Sequence, residues 1–172
     1  MTVLPILIIP DKTLKMISKP VERVDDELRK FLDDMCATMY AAPGIGLAAV
    51  QVGVLKRVVV IDVSRDEDVR APMHFINPEI TWVSDELSTY DEGCLSIPEV
   101  YEEVERPSRC RVNFLDYEGA EQEIECEGLL STCIQHEVDH LNGILFLDHI
   151  SRLKRDRITK KFIKAKRLEK TG

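Results

Sequence analysis

Residues 136–140 read His136-Glu137-Val138-Asp139-His140, an H-E-x-x-H motif, and no other segment constrains the chain as tightly. On a helix, positions four apart lie one turn apart on one face. His136 and His140 can therefore share one metal ion while Glu137 stands beside them as a general base. The flanking sequence agrees with a helix that buries one stripe: Leu129, Cys133, His136 and His140 recur at helical spacing, and Asn142-Gly143 supplies a C-terminal stop. Two partly exposed histidines beside a surface glutamate are the plain alternative. The apolar stripe argues against it, because buried histidines need partners and a shared metal suits this spacing.

The third ligand decides which kind of metal site this is. One group of zinc proteases extends the motif with a glycine and a third histidine; this chain follows that pattern to Gly143 but has Phe146 where the histidine belongs. A downstream glutamate is the other common solution, yet the only one beyond His140 is Glu169, in a lysine-rich tail. Five cysteines remain. Cys133 shares the helical face, but it precedes His140 by almost two turns, about 10.5 Å along the axis, too far for a short side chain. It reads as a small buried wall residue. Cys36 falls on an amphipathic helix, and Cys110 and Cys126 fall in strand-like runs, so all three read as core. Cys94 follows Gly93 and precedes Ser96-Ile97-Pro98, a backbone bend that can aim a side chain. Cys94, His136 and His140 are the expected metal ligands.

Three blocks now stand in order: Gly44-Ile45-Gly46-Leu47-Ala48-Ala49-Val50-Gln51, Glu92-Gly93-Cys94-Leu95-Ser96, and Gln135-His136-Glu137-Val138-Asp139-His140. Together they resemble the peptide deformylases. The similarity runs from the first residues to beyond residue 150, and the order of elements is similar to the bacterial form. The resemblance implies removal of the formyl group from the N-terminal formyl-methionine of new polypeptides, with release of formate. It implies one divalent ion per chain, Fe2+ as the native metal, with Zn2+, Ni2+ or Co2+ in purified protein and loss of activity in air. It also implies that the Gln51 amide and the Leu95 backbone N–H assist Glu137 in catalysis. Gly44, Ile45 and Gly46 would pair with the substrate backbone as an added strand, with Gly93 in the same substrate site. Ile45, Leu129 and Cys133 would line a pocket for an unbranched apolar side chain such as methionine. The run Glu102-Glu103-Val104-Glu105 is more acidic than the family pattern.

Without the resemblance, Gln51 reads as a surface amide after a glycine-rich turn. Gly44-Ile45-Gly46 lacks the strand-before, helix-after context of a dinucleotide fingerprint. Two further readings of the whole chain remain open: a metallopeptidase that cleaves a backbone amide, and an RNA-binding domain in which the metal only staples the fold.

The rest of the chain reads as α+β with mainly antiparallel pairing around a central metal-binding helix. Asp25 is placed to cap a helix through about residue 41, with Leu28, Phe31, Leu32, Met35 and Met39 on one face and Pro43-Gly44 ending it. Arg57 to Asp62 reads as a strand, as does Met73 to Val83 with an interruption near Asn77-Pro78. Arg109 to Asp116 and Glu121 to Glu127 flank a turn at Tyr117-Glu118-Gly119. A last helix begins near Ser151. The 172 residues fit one domain, with 1–150 the catalytic part and 151–172 a basic C-terminal helix of the same domain. An odd cysteine count at irregular spacing argues for a reducing compartment. No signal-like or membrane-spanning run is present in the sequence. A cytoplasmic monomer is expected.

Charge is unevenly distributed. Of 23 basic and 31 acidic residues, 10 and 2 fall within 151–172, so a basic tail sits on an acidic body. Arg157, Lys160, Lys161, Lys164 and Arg167 form one stripe of that helix, and Ile158, Phe162 and Ala165 form another. A packed helix with a solvated face explains this pattern, as does a contact with RNA phosphates. The resemblance implies docking on the ribosome near the exit tunnel.

Overall fold

The computed structural model describes residues 1–66 and 68–171. Its frame is a five-stranded antiparallel sheet held between two helices. The strands are β1 (Gly46–Ala48), β2 (Val58–Ile61), β3 (Met73–Val83), β6 (Arg109–Leu115) and β7 (Glu121–Glu127), in the order β1-β2-β3-β6-β7. A separate hairpin is made by β4 (Leu87–Cys94) and β5 (Ile97–Pro107). Three α-helices complete the chain: α1 (Asp26–Ala41), α2 (Gly128–Leu141) and α3 (Arg152–Thr171).

The two-residue period of a strand explains how the sheet accepts a helix on each face. In β2, Val58 and Val60 pack with Leu28, Leu32, Met35 and Met39 of α1, whereas Val59 and Ile61 pack with Cys133, Ile134, Val138 and Leu141 of α2. A continuous apolar run is what a strand covered on both sides requires. β7 is covered on one side only, so Ile124 and Cys126 turn inward between outward glutamates.

Local signals set the ends of the helices. Asp25 caps α1 by accepting from the Leu28 N–H, as its position in the sequence suggests. α2 stops at Leu141, where Asn142 and Gly143 turn the chain. Gly143 has φ +73, and a side chain there would strike the Lys15 carbonyl, so the stop admits only glycine. β3 runs unbroken from Met73 to Val83, but its pairing with β6 shifts between Ile76 and Glu79, and Asn77 takes φ +51. The expected interruption is thus a change of register within one strand. Asn77 exchanges hydrogen bonds with the backbone of Val21, which holds the distortion.

The β4–β5 hairpin rests on a third apolar cluster with Ile9, Leu14, Ile97, Val104, Leu145, Phe146 and Leu147, and Ile158 and Phe162 of α3 pack against it. Lys160, Lys161, Lys164 and Arg167 are exposed. The basic stripe is exposed, and Ile158 and Phe162 of the apolar one pack inward, whereas Ala165 is exposed. Among the described residues, no helix is long and apolar enough to cross a membrane.

Candidate metal centre

α2 lies across the sheet with its buried stripe turned toward β1 and the tip of the β4–β5 hairpin. His136 and His140 project from it one turn apart. Cys94 comes from the end of β4, where it pairs with Ile97 across the two-residue turn Leu95-Ser96. The Cys94 Sγ lies 3.4 Å from His140 Nε2, and the two histidine Nε2 atoms lie 3.2 Å apart. The three donor atoms all fall within 4.8 Å of one another, the only such group among the described residues. His140 is fully buried and His136 nearly so. Two imidazole nitrogens so close, shut away from water and beside a thiol, fit a cation at their meeting point. Two nitrogens and one sulfur make a donor set that suits a borderline-soft divalent ion.

A chain of polar contacts fixes His136 from behind. His136 Nδ1 lies 2.9 Å from Glu92 Oε1, which leaves its Nε2 to face His140 and Cys94. Arg106 grips Glu92 with two bonds, Nε to Oε2 at 2.7 Å and Nη2 to Oε1 at 3.0 Å. Its third nitrogen donates to Asp139 Oδ2 at 2.9 Å, and that oxygen also lies 2.8 Å from His149 Nε2. Burial pushes the Glu92 carboxyl up, but the bonds from His136 and Arg106 overcome this and hold it below the usual carboxylate range. The side chains of Arg106 and Glu92 are each 5% exposed. Removing one partner of a buried pair leaves the other uncompensated, at a cost of about 3–5 kcal/mol. Arg106→Ala is therefore expected to lower stability by that amount and to loosen the metal, as measured by denaturant unfolding and metal content.

Glu137 faces the other way. A Cβ on Gly46 would lie 2.7 Å from Glu137 Oε1 and 2.9 Å from Cys133 Sγ, so the bare backbone of β1 is what lets α2 approach. The second carboxylate oxygen, Oε2, is buried and has no hydrogen-bond partner. Burial pushes the Glu137 carboxyl up to about 7, with nearby His136 pulling the other way. A carboxyl with that value can take and return a proton near neutral pH.

Gln51 is buried, not on the surface. It sits in a 3-10 turn over Ala49–Val52, with Oε1 accepting from the Ala48 N–H at 3.0 Å. Its Nε2 points at Cys94 Sγ, 3.5 Å away, and donates to Ser96 Oγ at 3.1 Å. Cys133 is a buried wall residue whose thiol is pushed well above its usual range by burial, as its place on the helix suggests.

In front of these residues opens a cleft of about 600 Å³. Gly44, Ile45, Gly46, Gln51, Gly93, Cys94, Leu95, Leu129, Cys133, His136 and Glu137 all line it, and His140 lies behind. β1 is an edge strand, paired only with β2, so its outer side faces the cleft side of the sheet unpaired. Sequence reasoning did not single out Arg106, Asp139, Ser96 or Thr132. The one available signal was Arg106 itself, a lone cation after an acidic run.

A carboxylate poised beside two buried imidazoles and a half-buried thiol, with an open cleft in front, is the arrangement of a metal-dependent hydrolase. Comparison with known proteins narrows the class. The family described as polypeptide deformylase matches residues 3–156. A peptide deformylase of Methylocella silvestris is 60% identical over 168 residues, covering 96% of this chain and 86% of that protein. One of Agrobacterium fabrum is 58% identical over 167 residues, covering 97% and 98%. The crystal structure of a peptide deformylase from Ehrlichia chaffeensis in complex with actinonin superposes with a TM-score of 0.92 at 46% identity, covering 97% of this chain and 99% of that one. The chain belongs to the peptide deformylase family, whose activity is the deformylation of nascent polypeptides.

Proposed function

We propose that this chain removes the formyl group from N-terminal formyl-methionine in the cytoplasm, as a monomer, with residues 1–150 as its catalytic part and 151–172 as a basic helix of the same domain. The observation that carries the reading is the buried, unpartnered Glu137 oxygen beside the converging Cys94, His136 and His140. Those three residues would hold the divalent ion. When bound, it supplies Lewis-acid polarisation of the formyl carbonyl and makes water a stronger acid. Ferrous iron is the proposed native ion, on the strength of the family and of a nitrogen and sulfur donor set that accepts it.

Glu137 takes the proton from the attacking water and delivers it to the nitrogen of the leaving amine, so formate and a free N-terminus result. Negative charge developing on the formyl oxygen is met by the Gln51 amide and the Leu95 backbone N–H. The Gln51 amide is held ready by its bonds to Ala48 and Ser96. The outer edge of β1, with Gly44, Ile45 and Gly46, pairs with the substrate backbone, with Gly93 on the opposite wall. Leu129, Cys133 and Ile45 receive the methionine side chain.

The direct test is formate release from a formyl-Met peptide by protein purified without oxygen, with metal analysis of the same sample. Stoichiometric iron and formate are expected. Cleavage of an internal amide in place of formate release would support a metallopeptidase, and tight metal without turnover would support a structural site.

The nascent chain is met at the ribosome, and α3 is the proposed contact. Arg157, Lys160, Lys161, Lys164 and Arg167 have no ion-pair partner among the described residues, while Ile158 and Phe162 anchor the helix. Neutralising Lys160, Lys161, Lys164 and Arg167 should weaken co-sedimentation with ribosomes and flatten its salt dependence, by roughly 0.7 to 0.9 in log–log slope for each phosphate no longer neutralised. Turnover of a short formyl-peptide should be spared. Phe162→Ala should lower the melting temperature instead. Unchanged sedimentation of the charge variant would leave α3 as packing alone.

A further inference from the structure

Four threonines lie in α-helices: Thr38, Thr132, Thr159 and Thr171. Three satisfy their hydroxyls in the same way, donating to the carbonyl four residues back. Thr38 reaches Asp34 at 2.7 Å, Thr159 reaches Arg155 at 2.8 Å, and Thr171 reaches Arg167 at 3.3 Å. Thr132 makes no such bond. Its hydroxyl is buried without any hydrogen-bond partner, and the residue is only 4% exposed. A sealed, unpaired hydroxyl is unfavourable where valine would fill the same space, so the position calls for a partner that arrives from outside.

Its place in the fold says where that partner comes from. Thr132 precedes His136 by one turn of α2 and lines the cleft beside Ile45, Leu129 and Cys133. Ile45 and Leu129 offer only carbon, and the Cys133 sulfur makes no hydrogen bond with the Thr132 hydroxyl. The other polar side chains nearby, Gln51, His136 and Glu137, face the reacting centre. A side chain that fills this part of the cleft excludes water, so it must itself bring whatever the Thr132 hydroxyl bonds. Helical threonine has two accessible χ1 rotamers, and exchanging them swaps hydroxyl and methyl at the wall. The thioether of methionine is a weak acceptor in an otherwise apolar chain.

We infer that Thr132 is a specificity-determining residue, whose hydroxyl donates to the sulfur of the first side chain and so tells methionine from an unbranched hydrocarbon of equal length. The inference rests on the deformylase reading. Discrimination of this kind arises because a donor in a closed pocket is left unpaired by the analogue that lacks its partner.

The test compares kcat/KM for formyl-Met-Ala-Ser and formyl-norleucyl-Ala-Ser on the metal-loaded enzyme, with formate release as the readout. The wild type should favour the methionyl peptide by roughly threefold to tenfold, the range one neutral hydrogen bond contributes. Thr132→Val keeps the shape and removes the donor, and should bring the ratio close to one. Thr132→Ser keeps the donor and should keep the preference. If thermal melts show that Thr132→Val does not fold, Thr132→Ala supplies the comparison without a hydroxyl. A ratio already near one in the wild type, or one unchanged when the hydroxyl is removed, overturns the inference while leaving deformylation intact. No formate from either peptide overturns the deformylase reading, and this inference with it.

Discussion

Glu137→Gln should keep its metal and lose roughly 10²- to 10⁴-fold in kcat, the contribution typical of a general acid–base group. Glutamine has nearly the same shape, so it fits the space that Gly46 leaves between β1 and α2. It cannot accept a proton, however, and among the described residues Glu137 is the one carboxylate in the cleft with an oxygen that is buried and free of partners. Glu92 is also buried, but His136 and Arg106 consume both of its oxygens. The two glutamates therefore separate by role, and their variants should separate by symptom. Glu137→Gln should show full metal by atomic absorption and almost no formate release, whereas Glu92→Gln should show weaker metal retention and lower stability. Near-normal turnover of Glu137→Gln with metal present would remove Glu137 from the reaction.

How much of this was legible in the sequence depended on how local the signal was. α1, α2, β2 and the β6–β7 hairpin carry their periods in consecutive residues, so side-chain spacing alone places them. The β4–β5 hairpin does not. Its first strand, Leu87–Cys94, is mostly polar, and its second opens on Ile97-Pro98 and runs through Glu102, Glu103 and Glu105. Neither strand alternates in polarity, because the hairpin lies outside the main sheet and, besides Ser96 at its turn, buries only Glu92, Ile97, Val104 and Arg106 deeply. It is nevertheless the element that delivers Cys94. The bend around Cys94 was readable from its glycine and proline neighbours; the strands that hold the bend were not.

The polar chain behind the histidines was invisible for a different reason. Glu92, Arg106, Asp139 and His149 come from β4, β5, α2 and the turn after it, and no spacing rule links them. Gln51 shows the same limit in reverse. An amide after a glycine-rich turn looks solvated, and only the packing of the 3-10 turn under the β4–β5 tip reveals that it is buried and held by Ala48 and Ser96. Thr132 is the extreme case: its distinction is a bond it does not make, which only the folded arrangement can disclose.

Cys94→Ala should abolish stoichiometric metal, and Cys133→Ala should retain it. The two cysteines make a controlled pair, since both line the cleft and both lie near the histidines. Cys94 Sγ is 3.4 Å from His140 Nε2 and 3.5 Å from Gln51 Nε2. Cys133 faces the bare backbone of Gly46, and burial keeps its thiol protonated. Losing Cys94 removes one of three protein ligands and the only negative one, so the remaining imidazoles must hold a dication alone. Losing Cys133 opens a small gap between α2 and β1, with a modest cost in stability. Metal analysis after gel filtration, beside thermal melts of both variants, separates these outcomes. Full occupancy in Cys94→Ala would move the third ligand elsewhere, and metal loss in Cys133→Ala without unfolding would move it to the helix.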